Sequence, residues 1–186
     1  MTAPGFNLDD RPLAKRKLKA LAEGAAPKAP PAAEAGARSP ASMVDVGGKP
    51  VVRREAEAEG LLRLKPATVA AVRERRVKKG DPLAVAEVAA VQAVKATPTL
   101  LPLCHPIPIT GVDVRLEAVD EGVRCRARVT ADYKTGVEME ALTAVTVGLL
   151  CVWDMTKYLE KDERGQYPGT RLEGVRVVEK RKEGSY

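Results

Sequence analysis

Apolar positions recur along this chain with periods that select its secondary structure. Val112, Val114, Leu116 and Ala118 alternate with polar residues, and Val123, Cys125, Ala127 and Val129 alternate with Arg124, Arg126 and Arg128. A period of two sends successive side chains to opposite faces of a strand, so Gly111–Val119 and Gly122–Asp132 are predicted as half-buried strands. Asp120, Glu121 and Gly122 supply the hairpin turn between them. Arg53–Leu64 alternates more loosely into Leu61, Leu62 and Leu64, a third strand, and Arg171–Glu179 is a fourth. Pro66 suits a first helical turn, and Val69, Val72 and Arg76 follow at helical spacing, which predicts a helix over Ala67–Val77. Gly80 would be its C′ residue, and Asp81 before Pro82 would cap the next helix, Leu83–Ala96. That second helix is almost devoid of charge and is expected to be buried nearly all round. A long apolar helix from about Val137 to Leu159 needs a sheet or a second subunit to cover it. Strand and helix do not alternate in a strict parallel rhythm. The expected class is α+β, ferredoxin-like, with an antiparallel sheet and helices packed on one face.

Composition narrows this picture. Of 186 residues only one is Trp, one Phe and four Tyr, so the core must be built from Val, Leu, Ala and Met. No run of apolar residues reaches the length of a membrane span, and Met1–Asp10 has no apolar stretch of secretory type. Cys104, Cys125 and Cys151 are an odd number without a close pair, which fits a reducing, cytoplasmic setting. The net charge of +6 suggests an anionic partner, phosphate first. Between Ala20 and Ala41 there are ten Ala and four Pro in 22 positions. Such a segment buries too little to offset its ordering entropy, so residues 1–40 are expected to be a disordered, basic Ala/Pro-rich extension, with at most a short helix near Arg11–Glu23. It lacks the interleaved aromatics that stack bases, and nucleic acid is not the expected partner. The folded part is then 41–186.

Chemistry-bearing side chains gather in four places. Cys104 and the chain's single histidine, His105, lie among Pro102, Pro106 and Pro108, which should hold them in a stiff extended segment. Lys79 sits beside Gly80 and Asp81. Glu138 and Glu140 open the long helix, where they suit the helix dipole. Asp154 and Lys157 are three apart near its other end, so they are surface neighbours. Flanking Val152, Trp153 and Met155 suggest partial burial there; the plainer reading is a surface ion pair. Helical rise separates Glu140 from Asp154 by about 21 Å and Glu138 from Lys157 by about 28 Å. One small-molecule site cannot span both ends of one helix. If both clusters act together, the site joins two copies of the chain. The chain shows no metal-ligand spacing of zinc type and no Gly-rich phosphate loop. A Cys104–His105 nucleophilic dyad is disfavoured, because neighbours on an extended chain point apart.

Five motifs in order and spacing carry a resemblance. They are Met43-Val44-Asp45-Val46, Lys79-Gly80-Asp81, Leu101-Pro102-Leu103-Cys104-His105-Pro106, Lys134 through Thr143, and Trp153-Asp154-Met155-Thr156-Lys157. Over roughly Met43–Lys180 the chain resembles the MoaC family, the cyclic pyranopterin monophosphate synthases of molybdenum cofactor biosynthesis, and its C-terminal part resembles the archaeal branch. The bacterial Gly-Gly-Lys-Ser-Gly tail is missing, and the basic Ala/Pro-rich extension lies outside the family pattern. The resemblance implies a lyase that converts 3′,8-cyclo-7,8-dihydroguanosine 5′-triphosphate to cyclic pyranopterin monophosphate with release of pyrophosphate. By motif, Lys79 and Lys157 correspond to acid–base lysines and Asp154 to the active-site carboxylate. Leu103, Cys104, His105, Met139 and Glu140 correspond to substrate-binding segments, with Glu138 and Arg54 as contributors. It also implies a homohexamer, a trimer of dimers, with shared sites and no cofactor or metal of its own. Mg²⁺ would enter only with the substrate triphosphate. Lysines partly desolvated near apolar residues would be tuned toward neutral pH to move protons.

Overall fold

The chain divides into two units, residues 1–40 and 41–186, and the computed structural model describes residues 41–183. The expectations for the extension and for a helix near Arg11–Glu23 lie outside the described residues. The elements run β1 (Val52–Arg63), α1 (Pro66–Arg73), α2 (Pro82–Leu100), β2 (Ile109–Val119), β3 (Gly122–Tyr133), α3 (Glu138–Glu160) and β4 (Arg171–Lys182). The four strands form one sheet in the order β2-β3-β1-β4, and every neighbouring pair is antiparallel. The fold is α+β, and its connectivity is consistent with the ferredoxin-like plan once the short α1 is set aside.

The period-two pattern places the core. Val123, Cys125, Ala127 and Val129 of β3 are fully buried beside Ala56, Ala58 and Leu62 of β1. Burial pushes the Cys125 thiol up to about 12, so it behaves as a small apolar group. The helical layer approaches this face through small residues. Ala86 and Ala90 of α2 share one buried cluster with Ala141 and Ala144 of α3, and a Cβ at Gly148 of α3 would lie 3.3 Å from Ala90 Cβ. At Gly60 of β1 a Cβ would lie 2.9 Å from Val145 and 3.1 Å from Leu149 of α3. With so few aromatics, close approach of backbones replaces large side chains in filling the interior. Gly122 is required at the β2–β3 hairpin, where a Cβ would fall 1.8 Å from the Leu62 carbonyl oxygen.

Several local expectations need correction. The first helix ends at Arg73, and Arg75 rather than Gly80 takes the positive φ (55°) that follows it. Gly80 instead turns the loop at φ 100°, and Asp81 does cap α2, accepting from Leu83 N–H at 3.0 Å and Ala84 N–H at 3.2 Å. Helix α2 runs on through Pro98 to Leu100 and is not buried all round. Only one stripe is buried, with Ala86, Ala90, Ala93, Val94 and Thr97, while Val85 and Val88 are exposed. Helix α3 is apolar and long enough to match a membrane span by composition, but half of the relevant window is buried within the fold. Its apolarity is explained by the sheet beneath it.

The chain beyond α3 is anchored through a buried carboxylate. Glu160 accepts the Lys65 backbone N–H at 3.1 Å and the Thr170 hydroxyl. Lys65 Nζ donates to the Lys161 carbonyl at 3.0 Å, so the helix terminus, the start of α1 and the approach to β4 are tied together. Because Gly60 sits against two α3 side chains, Gly60→Val should destabilise the domain by about 1–3 kcal/mol through overpacking. Urea unfolding checks this, and a neutral result would mean that α3 does not press on β1.

Candidate active site

At the N-terminal end of α3 a cavity of about 790 Å³ opens between that helix, the 101–107 loop and the 42–49 segment. Val44, Leu103, Ile107, Met139 and Val177 give it apolar walls, and Cys104, His105, Glu138 and Glu140 bring polar groups to it. The 101–104 stretch is a turn, not the extended run its prolines suggested, with Cys104 N–H donating to the Leu101 carbonyl at 2.9 Å. Cys104 and His105 therefore face one cavity, contrary to the expectation that they point apart. The Cys104 thiol is nevertheless not activated, since burial and then Glu140 push its pKa up. His105 Nε2 lies 2.8 Å from the Val44 carbonyl oxygen. A carbonyl can only accept, so Nε2 carries the proton and Nδ1 is the acceptor of the neutral ring.

Two carboxylates at this helix start are driven apart in acidity. Glu140 is 2% exposed, and its pKa is raised by burial and further by Glu138. Glu138 is also penalised by burial, but Lys180 Nζ at 2.8 Å and the nearby Arg54 outweigh this and hold its pKa low. Environments that separate paired carboxylates suit one to hold a proton and the other to stay charged. Arg54 reaches the same wall, its guanidinium donating to the Tyr133 and Lys134 carbonyls at 3.4 Å each.

The other cluster lies at the far end of α3. Asp154 receives Lys79 Nζ on Oδ2 and Lys157 Nζ on Oδ1, both at 2.8 Å, and Lys79 also donates to the Asp154 carbonyl at 3.1 Å. Hydrogen bonds from Lys157 and then Lys79 hold the Asp154 carboxyl down at about 2. Lys79 is placed by its loop, where Lys78 N–H donates to the Tyr158 hydroxyl at 2.9 Å and the Lys78 ammonium lies 5.5 Å above the Tyr158 ring. The partial burial expected here is not found, for the Asp154 and Lys157 side chains are 57% and 48% exposed. Nor is Lys157 tuned toward neutrality: Asp154 raises its pKa, by hydrogen bond first and charge second. In one protomer this triad is a solvated, strongly charged knob.

The structure thus brings Arg54, Leu103, Cys104, His105, Glu138, Met139 and Glu140 to one end and Lys79, Asp154 and Lys157 to the other. It does not bring the two groups together within a chain, since α3 is a continuous helix from Glu138 to Glu160. Sequence reasoning placed Lys134 in one motif with Glu138 and Glu140 without giving it a role, and it missed Lys49 and the end of β4, Lys180–Lys182; all of these line a second cavity beside the first. Its signal was the basic run after Glu179, which a strand ending earlier had hidden. The arginine stripe of β3 is fully paired: Arg124 with Glu117 at 3.3 Å, Arg126 with Glu59 at 3.1 Å and Arg128 with Glu57 at 2.8 Å. Neutralised guanidinium groups offer little to a phosphate backbone.

These features define an α+β domain with polar clusters at both ends of its longest helix. A scan against family models matches the MoaC family over residues 43–183. A Pyrococcus abyssi protein named as a probable cyclic pyranopterin monophosphate synthase is 57% identical over 138 residues, covering 74% of this chain and 87% of that protein. One of the same name from Aeropyrum pernix is 58% identical over 144 residues, 77% of this chain and 99% of that one. A Methanothermobacter thermautotrophicus relative, named as a probable accessory protein of that synthase, is 53% identical over 140 residues, 75% and 88% of the two chains. The chain belongs to the MoaC family.

With a single histidine, ¹⁵N-histidine labelling yields one imidazole to observe. Its neutral form should be the Nε2–H tautomer in long-range ¹H–¹⁵N spectra, and an Nδ1–H tautomer would contradict the Val44 contact. Carboxyl ¹³C titration should place Asp154 at about 2 and Glu140 above the ordinary glutamate value. The sign follows: the Asp154 ion pairs stabilise the fold above the ordinary aspartate range and are lost as pH falls toward about 2. Ionising Glu140 works the other way, lowering stability as pH rises past the ordinary glutamate value.

Proposed function

We propose that this chain is a cyclic pyranopterin monophosphate synthase, a lyase acting on 3′,8-cyclo-7,8-dihydroguanosine 5′-triphosphate in molybdenum cofactor biosynthesis. The observation that carries the reading is the family match across residues 43–183, which holds both polar clusters. Reopening and rebuilding a ring at an aminal carbon is a problem of moving protons between nitrogen, oxygen and carbon. Closing the cyclic phosphate forms one P–O bond to the α-phosphorus and breaks another, so that pyrophosphate leaves.

The residues divide this work. Glu140, inclined to hold a proton, and His105, whose Nδ1 is left free by the Nε2 contact to Val44, are suited to proton exchange in the apolar cavity. Lys157, kept protonated by Asp154, acts as an acid or cationic anchor, and Lys79 is positioned on the same carboxylate. We assign no cofactor to the chain; Mg²⁺ enters only as a companion of the triphosphate. Such an enzyme works in the cytoplasm.

Because α3 separates the clusters by about 21 Å, catalysis by both requires the Lys79–Asp154–Lys157 knob of one protomer to meet the Glu140 cavity of another. Exposed Val85, Val88 and Leu150 on the helical layer give apolar surface for such assembly. A homohexamer of shared sites, a trimer of dimers, satisfies this demand.

The test is pyrophosphate release from the cyclic dihydro-GTP substrate. Lys79→Ala and Glu140→Gln should each be inactive while remaining folded. Unfolded together and refolded as mixed oligomers, they should regain about one quarter of the wild-type rate, since one shared site in four combines two intact halves. No regain on mixing would place both clusters' chemistry within a single chain or discard one of them. Absence of pyrophosphate from the wild-type protein would end the synthase reading.

A further inference from the structure

The connection from α3 to β4, residues 161–169, is exposed except at Tyr167, which is half-buried. It closes on itself. Asp162 Oδ1 accepts the Arg164 and Gln166 backbone N–H groups at 2.9 and 2.7 Å, and Asp162 N–H donates to the Gln166 carbonyl at 2.9 Å. Gly165, at φ 75°, makes the turn. One foot of the loop is fixed by buried Glu160, which accepts the Thr170 hydroxyl, and the other by Lys65 Nζ, which donates to the Lys161 carbonyl at 3.0 Å. None of these bonds involves Tyr167, so the loop is closed without help from that side chain.

The Tyr167 ring turns instead to α3. It meets Trp153 edge to face, with centroids 6.0 Å apart and planes at 85°. Trp153 is itself packed against the core. Trp153 and Lys157 are four apart on the helix and so are neighbours on one face, and the apolar stem of a lysine lies readily along aromatic surface. Asp154 leads in raising the Lys157 pKa, by hydrogen bond and charge, and Tyr167 adds to it, which places the phenol within reach of that ammonium.

We propose that Tyr167 is a positioning residue for Lys157: its ring, braced on Trp153, restricts the lysine's rotamers so that the ammonium stays on Asp154. The role in turnover rests on the synthase reading; the packing relation does not. An exposed ion pair holds a long side chain weakly, because the attraction barely exceeds the rotamer entropy it costs. A ring wall beside the stem removes part of that freedom before any substrate arrives. The ring rather than the hydroxyl carries the task, since the Tyr167 oxygen has no hydrogen-bond partner among the described residues.

Tyr167→Phe and Tyr167→Ala separate ring from hydroxyl, and two readouts need no turnover. Trp153 is the chain's only tryptophan, so its fluorescence reports the contact directly. Acrylamide should quench it about twofold more strongly in Tyr167→Ala and as in wild type in Tyr167→Phe. The Lys157 hydrogen bond leads in holding the Asp154 carboxyl at about 2. Carboxyl ¹³C titration should therefore show Asp154 moving up toward the ordinary aspartate value in Tyr167→Ala and unmoved in Tyr167→Phe. A side chain that only fills space in the loop would leave that titration in place. In pyrophosphate release, Tyr167→Ala should lose about tenfold in kcat with KM within about twofold of wild type, and Tyr167→Phe should recover most of the loss. An unmoved Asp154 titration in Tyr167→Ala, or an equal loss in Tyr167→Phe, would overturn the proposal. If the wild type releases pyrophosphate and Tyr167→Ala does so as fast, the synthase reading survives and the brace does not. If Asp154 shifts as expected but the wild type releases no pyrophosphate, the brace on Lys157 stands and the synthase reading is lost.

Discussion

A continuous helix of 23 residues cannot fold back on itself, and that constraint keeps the two polar clusters of this protein apart within one chain. Helix α3 carries Glu138 and Glu140 on its first turn and Asp154 and Lys157 near its last, and it spans the sheet between them. Within one chain no small ligand can touch both groups. The same rigidity fixes each cluster in place. A side chain on a packed helix is held more closely than one on a loop, and the loop residues that join it, His105 and Lys79, each have an anchor of their own. For His105 it is the Val44 carbonyl, and for Lys79 it is Asp154 together with the Tyr158 clasp on the neighbouring backbone.

What holds α3 in place is smallness. Gly60, Ala86, Ala90, Ala144 and Gly148 let two helices and a strand approach until backbones nearly touch, and dispersion over that contact replaces the aromatic bulk the chain lacks. The opposite face of the sheet is governed by charge. Glu59 receives Arg176 on one oxygen and Arg126 on the other, and the Arg176 hydrogen bond leads in holding its pKa down. Each such exposed pair stabilises little alone. As a lattice across β2, β3, β1 and β4, they cancel the basic stripe of β3 and leave the net positive charge to act elsewhere.

That charge collects at the end of the molecule where β1 and β4 meet the start of α3. There the domain sets an apolar cavity against a cationic cleft, with Glu138 and Lys180 shared between them. A ligand with a flat apolar part and a polyanionic part would be oriented by that division before any acid–base group acts. The far end of α3 has the opposite design, a solvated carboxylate gripped by two ammonium groups. That grip holds the Asp154 carboxyl down and pushes the Lys157 ammonium up.

Periodicity in the sequence sufficed for the strands, because an alternation such as Val123 to Val129 fits only one face of one sheet. It sufficed as well for the length of α3 and for the argument that its two ends cannot share a site in one chain. The motifs around Lys79, His105, Glu140 and Asp154 were enough to name the family. Features that depend on long-range packing were not readable. The turn at Leu101–Cys104 brings two residues to one cavity although local prolines argued for extension. Val85 and Val88 of α2 are exposed because only one stripe of that helix finds the sheet. The desolvated state of Glu140, the solvated state of Lys157 and the cleft built by Lys49, Lys134 and Lys182 were settled by tertiary structure alone, since burial and the convergence of charges belong to residues distant in the chain.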